Sequence, residues 1–155
     1  MHIFDIMLLL ADTISRLRIN WNKRPLTEAD FYRLCRKHTV TVEEMPLRVS
    51  GFYYCAMGRH FIAIDSRLSP QKKLYVMFHE FAHYLLHAPS GTATANYHGV
   101  GKRTRVEAEA DSFALCALMP TAWVTSGRLG ELATDAGHNA EMIAERLAVF
   151  TAYGL

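Results

Sequence analysis

Apolar residues recur at intervals of three and four through Leu74, Met77, Phe78, Phe81, Ala82 and Leu85, and this stripe predicts a buried helix. Ser69-Pro70 marks its start, with serine as N-cap and proline at the first helical position. Ala88-Pro89-Ser90-Gly91 marks its end. A second helical period, Ala-rich and apolar through Ala110, Phe113, Ala114 and Ala117, stops before Pro120. A closing helix is expected over about 138–149, with Met142, Ile143, Arg146, Leu147 and Phe150 at helical spacing. Two more helices are expected at the front, over about 2–19 and about 27–37, separated by a turn at Asn22 to Pro25, the second capped by Thr27. Between front and centre the pattern changes to that of strands, near 40–43, 52–57 and 61–64, the last two joined at Gly58-Arg59 in a hairpin. Helices and strands that segregate in this way predict an α+β fold with a small, mostly antiparallel sheet packed on helices.

The central helix carries His79-Glu80-Phe81-Ala82-His83. Residues four apart share a helix face, so both imidazoles can bind one metal ion. Glu80 follows the first of them, where it reaches a water rather than the metal. This is the HExxH arrangement of metallopeptidases: two His ligands, a Glu base and a polarised water as nucleophile. His79 and His83 lie beside the apolar stripe, the setting the motif requires.

A catalytic zinc site has three protein ligands and an open position. Glu107 and Glu109, on the second helix, are the candidates for the third. Glu107 and Asp111 are four apart and project from one face, whereas Glu109 points about 200° round the helix from Glu107. Glu107 is therefore the preferred ligand and Glu109 the alternative, with Asp111 suited to accept the free N–H of a ligating imidazole. Taken without the His pair, these acids would read as a solvated helix face.

The stretch HEFAHYLLH, followed about twenty residues later by EAEADSFALCALMP, resembles the ImmA/IrrE family of metallopeptidases. A short strand over 59–65 that runs through Ser66-Arg67-Leu68-Ser69 into the central helix fits the same pattern. The resemblance covers roughly residues 26–150. It implies one zinc ion on His79, His83 and Glu107, Glu80 as general base, Asp111 behind the ligands, and a thermolysin-like zincin core. It also implies a protein substrate, a helix-turn-helix transcriptional repressor cut in response to stress or mobile-element signals. The Lys73-Leu74-Tyr75-Val76-Met77-Phe78 segment departs from the Arg- and Thr-rich stretch often found there and leaves the metal site untouched. In zincins an edge strand holds peptide substrate by strand addition; 52–57 and 61–64 are the candidates.

Other residues complete the expectations. His87 lies eight residues beyond His79, roughly 12 Å along the axis, too far to share its ion, and is read as a partner of the last helix carbonyls, with contact to substrate as the lesser alternative. Oxyanion stabilisation in such enzymes falls to a His, Tyr or Arg donor, and Tyr97 and His98 in the Gly-rich connection are the candidates, ahead of Arg103 and Arg105. His2, His38, His60 and His138 are read as surface or structural. Cys35, Cys55 and Cys116 form no CxxC pair and no even framework, which fits a reducing compartment.

Composition bounds the rest. The chain has 155 residues, half of them apolar, with no repeats or linker, and a single domain over 1–155 is expected. Its net charge of +2 predicts no polyanion partner, and the dispersed basic residues between Arg16 and His38 read as a solvated face rather than a direct nucleic-acid site. No apolar run approaches bilayer length, and Ile6-Met7-Leu8-Leu9-Leu10-Ala11 lacks the positive flank and cleavage site of a signal peptide. A cytoplasmic protein without membrane contact is expected. Two further classes stay open. A zincin-fold module could sequester a regulatory protein without catalysis, although Glu80 has no use in a closed structural site. A helix-turn-helix DNA-binding protein would need a tighter connection than the Pro25-containing one before Thr27.

Overall fold

The computed structural model describes residues 11–87 and 105–155. Their elements, in order, are α1 (Glu28–Lys37), β1 (Val40–Met45), β2 (Gly51–Ala56), β3 (Arg59–Asp65), α2 (Pro70–His87), α3 (Arg105–Leu118), α4 (Thr121–Thr125), α5 (Leu129–Asp135) and α6 (Ala140–Tyr153). This is an α+β fold consistent with a zincin core. Residues divide into two compact units, 27–114 and the segments before and after it.

In the first unit, Thr27 and Asp30 close a reciprocal capping box on α1, each side chain bonded to the other's backbone N–H. The sheet has the order β1-β3-β2 and is mixed, not mostly antiparallel. β2 and β3 form a tight hairpin in which Ala56 faces Arg59 across Met57 and Gly58. Both turn residues have positive φ, the condition of a type I′ turn, so the reversal falls one residue earlier than Gly58-Arg59. β1 then takes the other flank of β3 and runs parallel to it. Its link to β2 is tied down by bonds from Asp65 N–H to the Ser50 carbonyl and from Ser66 N–H to the Met45 carbonyl. β3 is thus central, and the 61–64 segment is not an edge. Of the two substrate-strand candidates, only the one in β2 lies on the outside.

α2 begins at Pro70, as its sequence predicts, and Ser69 accepts from Lys72 and Lys73 N–H. It is buried on every side from Tyr75 to His83, more than a one-sided stripe requires. β2 meets it at Gly51, where a Cβ would stand 2.7 Å from Val76 Cγ1 and 2.8 Å from the Ala63 carbonyl. Phe78 and Phe81 pack edge-tilted on Phe113 of α3, each at 6.4 Å between ring centroids. These aromatic contacts hold the two site-bearing helices in register.

In the second unit, the expected front helix is described only from residue 11 and ends at residue 15, not 19. Arg18, Asn20 and Asn22 all take positive φ, which no helix accommodates. α4 and α5 occupy a stretch for which the sequence period predicts no element, and α6 runs four residues past its expected end, to Gly154 in the left-handed C-cap. Leu147, expected inside, is half exposed, and Val149 is buried in its stead. Arg146 is fully buried and donates to the carbonyls of Met119 and Leu155 and to the side chains of Asn22 and Thr121. Arg146→Ala would strand those acceptors and open a cavity, at a cost of about 3–5 kcal/mol. Chemical denaturation measures it; a loss below about 1 kcal/mol would show that water replaces the guanidinium.

Among the described residues, no helix is long and apolar enough to cross a membrane. Cys35, Cys55 and Cys116 are free, and burial pushes the Cys35 thiol up to about 12 and the Cys116 thiol to about 11, which makes both poor nucleophiles.

Candidate metal centre

The site is assembled from α2 and α3. The four-residue spacing of His79 and His83 stacks their rings on one face of α2, and their Nε2 atoms converge to 3.2 Å. α3 brings in Glu107, whose Oε2 lies 3.1 Å from His79 Nε2 and whose Oε1 lies 3.1 Å from His83 Nε2. Both imidazoles are fully buried, while Glu107 keeps about a quarter of its side chain exposed. One rim of the triangle therefore faces outward.

Three lone-pair donors this close repel one another unless a positive charge sits between them. The electrostatics express that need. Burial works against a charged His79, but hydrogen bonds to Asp111 and Glu107 outweigh it and raise its pKa to about 9. Burial likewise opposes a charged Glu107, yet its bonds to both imidazoles hold its carboxyl well below the usual carboxylate range. Zinc bonds of about 2.0–2.1 Å in tetrahedral array separate their donors by roughly 3.3 Å. Observed separations of 3.1–3.2 Å match that closely, and the His₂Glu donor set is one used by catalytic zinc. The residues fit a zinc ion. Among the described residues they also form a group of His, Cys, Asp or Glu able to hold one.

Behind this triangle, His79 Nδ1 lies 2.8 Å from Asp111 Oδ1, and that oxygen also accepts from the Tyr75 hydroxyl at 2.6 Å. With Nδ1–H committed to Asp111, Nε2 is the nitrogen turned toward Glu107 and His83 and the one able to serve an ion held there. Glu80 is fully buried beside His79, close enough for its charge to raise that ring's pKa.

Glu109, the alternative ligand, points elsewhere: it bonds His87 Nε2 at 3.0 Å and Arg105 Nε at 3.0 Å. His87 does not cap the helix carbonyls as its position suggests but stands between Glu109 and His83. Tyr75 and His87 are the two members of the network not foreseen. Both were signalled by spacing, since Tyr75, His79, His83 and His87 succeed one another every four residues on one face of α2. Tyr97, His98 and Arg103 lie outside the described residues. His60 and His38 contact tyrosines, His60 Nδ1 at 2.7 Å from the Tyr53 hydroxyl and His38 Nδ1 at 3.4 Å from that of Tyr84. His138 is buried.

A family model described as Peptidase_M78: IrrE N-terminal-like domain matches residues 35–148, a span that holds α2, α3 and the whole donor triangle. No curated protein matches the chain.

Proposed function

The chain belongs to the Peptidase_M78 family through its IrrE N-terminal-like domain, and from that premise we propose that it is a zinc-dependent endopeptidase acting on a protein substrate, a helix-turn-helix transcriptional repressor. Family membership supports a metallopeptidase-type function. The observation that carries the finer reading is the triangle of His79, His83 and Glu107, three donors spaced for one ion with an outward rim. Zinc held there supplies Lewis acidity and brings the pKa of water toward neutrality.

The protein's own groups do the rest. Glu80 accepts the proton of the attacking water and returns it to the leaving amine, a role suited to a carboxylate shielded from bulk solvent next to a metal ligand. Asp111 and Tyr75 hold the His79 ring in the ligating tautomer. β2 is an outer strand with Phe52 and Tyr54 only partly buried, and a substrate segment can add along it. Tyr97 and His98 remain our candidates for oxyanion donors. The repressor as substrate rests on the ImmA/IrrE resemblance. Three free thiols support a reducing, cytoplasmic setting. The basic side chains from Arg16 to Lys37 are exposed, in keeping with a solvated face.

Zinc-loaded protein is expected to convert a purified helix-turn-helix repressor into two fragments whose masses add up to the parent plus one water. Chelation should stop the reaction and one equivalent of zinc restore it. A repressor that binds stoichiometrically, intact at every zinc level, would replace this reading with sequestration.

A further inference from the structure

The second metal-facing imidazole is supported differently from the first. His79 leans directly on a carboxylate, whereas His83 Nδ1 meets another imidazole, His87 Nδ1, at 3.1 Å. The far nitrogen of His87 lies 3.0 Å from Glu109 Oε2, and the other oxygen of Glu109 accepts from Arg105 Nε at 3.0 Å. Side chains of His87 and Glu109 are only 13% and 11% exposed, so bulk water is a poor substitute for either.

We propose that His87 and Glu109 form a relay that, with the ion in place, holds the His83 ring through its Nδ1–H and keeps its Nε2 lone pair aimed into the donor triangle. Each link follows from donor and acceptor chemistry. Ionised Glu109 only accepts, so His87 presents Nε2–H to it. A neutral ring protonated at Nε2 has a bare Nδ1, and that nitrogen accepts from His83 Nδ1–H. His83 Nε2 is then unprotonated, as a ligand nitrogen must be. Without the ion, the Glu107 carboxylate 3.1 Å from His83 Nε2 competes for a proton on that nitrogen, so the relay acts on the zinc-loaded protein. Arg105 anchors the outer end by holding Glu109 in place. His87 and Glu109 are positioning residues, two and three groups removed from the ion, and the relay rests on the reading of His83 as a metal ligand.

Full-length, zinc-loaded protein with ¹⁵N-labelled histidines tests the relay without reference to activity. Two-bond ¹H–¹⁵N spectra should show His87 as the Nε2–H tautomer and a slowly exchanging His83 Nδ1–H proton, and His87→Leu should speed exchange of that proton with water. Competition with a chromophoric chelator should show zinc affinity reduced about 10–100-fold in His87→Leu and Glu109→Ala, the usual effect of removing a ligand's outer partner. His87→Gln, whose amide offers one acceptor and one donor, should recover most of the loss. A zinc-loaded parent with His87 protonated at Nδ1, or a folded His87→Leu with parental affinity, overturns the relay. The expected tautomer and affinity losses in a protein that leaves every repressor intact would uphold the relay and overturn the metallopeptidase reading. A wrong His87 tautomer beside repressor cleavage would do the reverse.

Discussion

Glu80→Gln is expected to lower peptide-bond cleavage by about 10²–10⁴-fold, the range general-base catalysis supplies, while zinc content and fold persist. The substitution conserves shape at a site with no solvent exposure, so packing is retained. It removes only the charge and the capacity to take a proton. Burying a carboxylate costs solvation free energy that a neutral amide does not, so thermal stability should stay level or rise. A residue kept for structure alone would show the opposite: activity held and stability reduced. The decisive comparison is single-turnover cleavage at saturating enzyme, with zinc measured on the same preparation. Cleavage at the parental rate would remove Glu80 from the base role. Loss of zinc along with activity would show that Glu80 supports the donors rather than the water.

What could be read from the sequence was what short-range chemistry determines. Ser69-Pro70 starts α2 and Thr27 caps α1 because caps are made within four residues. Asn139 and Gly154 are equally local signals for the ends of α6, and periodicity alone passed over them. Asn20 and Asn22 belong to the residue type that tolerates positive φ, a reason to end the front helix earlier than its apolar pattern indicates. α4 and α5, of five and seven residues, are too short for a 3.6-residue period to declare itself. The strands were visible but their order was not: the parallel pairing of β1 with β3 joins residues twenty apart and is decided by tertiary contact.

The site divides along the same line. His79, Glu80 and His83 are legible because one helix turn places them together. Glu107 and Asp111 follow from one further step, a shared face on α3. Glu109 could not be assigned in that way, because its partner His87 lies on another helix and only the packing of α2 against α3 brings the two together.

Glu107→Ala and His83→Ala should each weaken zinc binding by about a thousandfold. Structural zinc sites bind with about 10–16 kcal/mol, and one of three protein ligands carries on the order of 4 kcal/mol of it, close to three powers of ten. Both removals also spoil the triangle for the donors that remain. Without Glu107, His79 and His83 lose the carboxylate that meets both Nε2 atoms at 3.1 Å. Without His83, Glu107 keeps one imidazole partner and the relay through His87 has nothing to orient. Glu109→Ala and Asp111→Asn separate this effect from support behind the ligands: each should lose about 10–100-fold and still reach one zinc per chain when zinc is supplied in excess. The four affinities, measured on apoprotein by chelator competition, therefore fall into two classes. Were Glu107→Ala to group with Asp111→Asn, the carboxylate would be a support and the third ligand would lie elsewhere. Were Glu109→Ala to group with His83→Ala, the assignment of the two α3 glutamates would have to be exchanged.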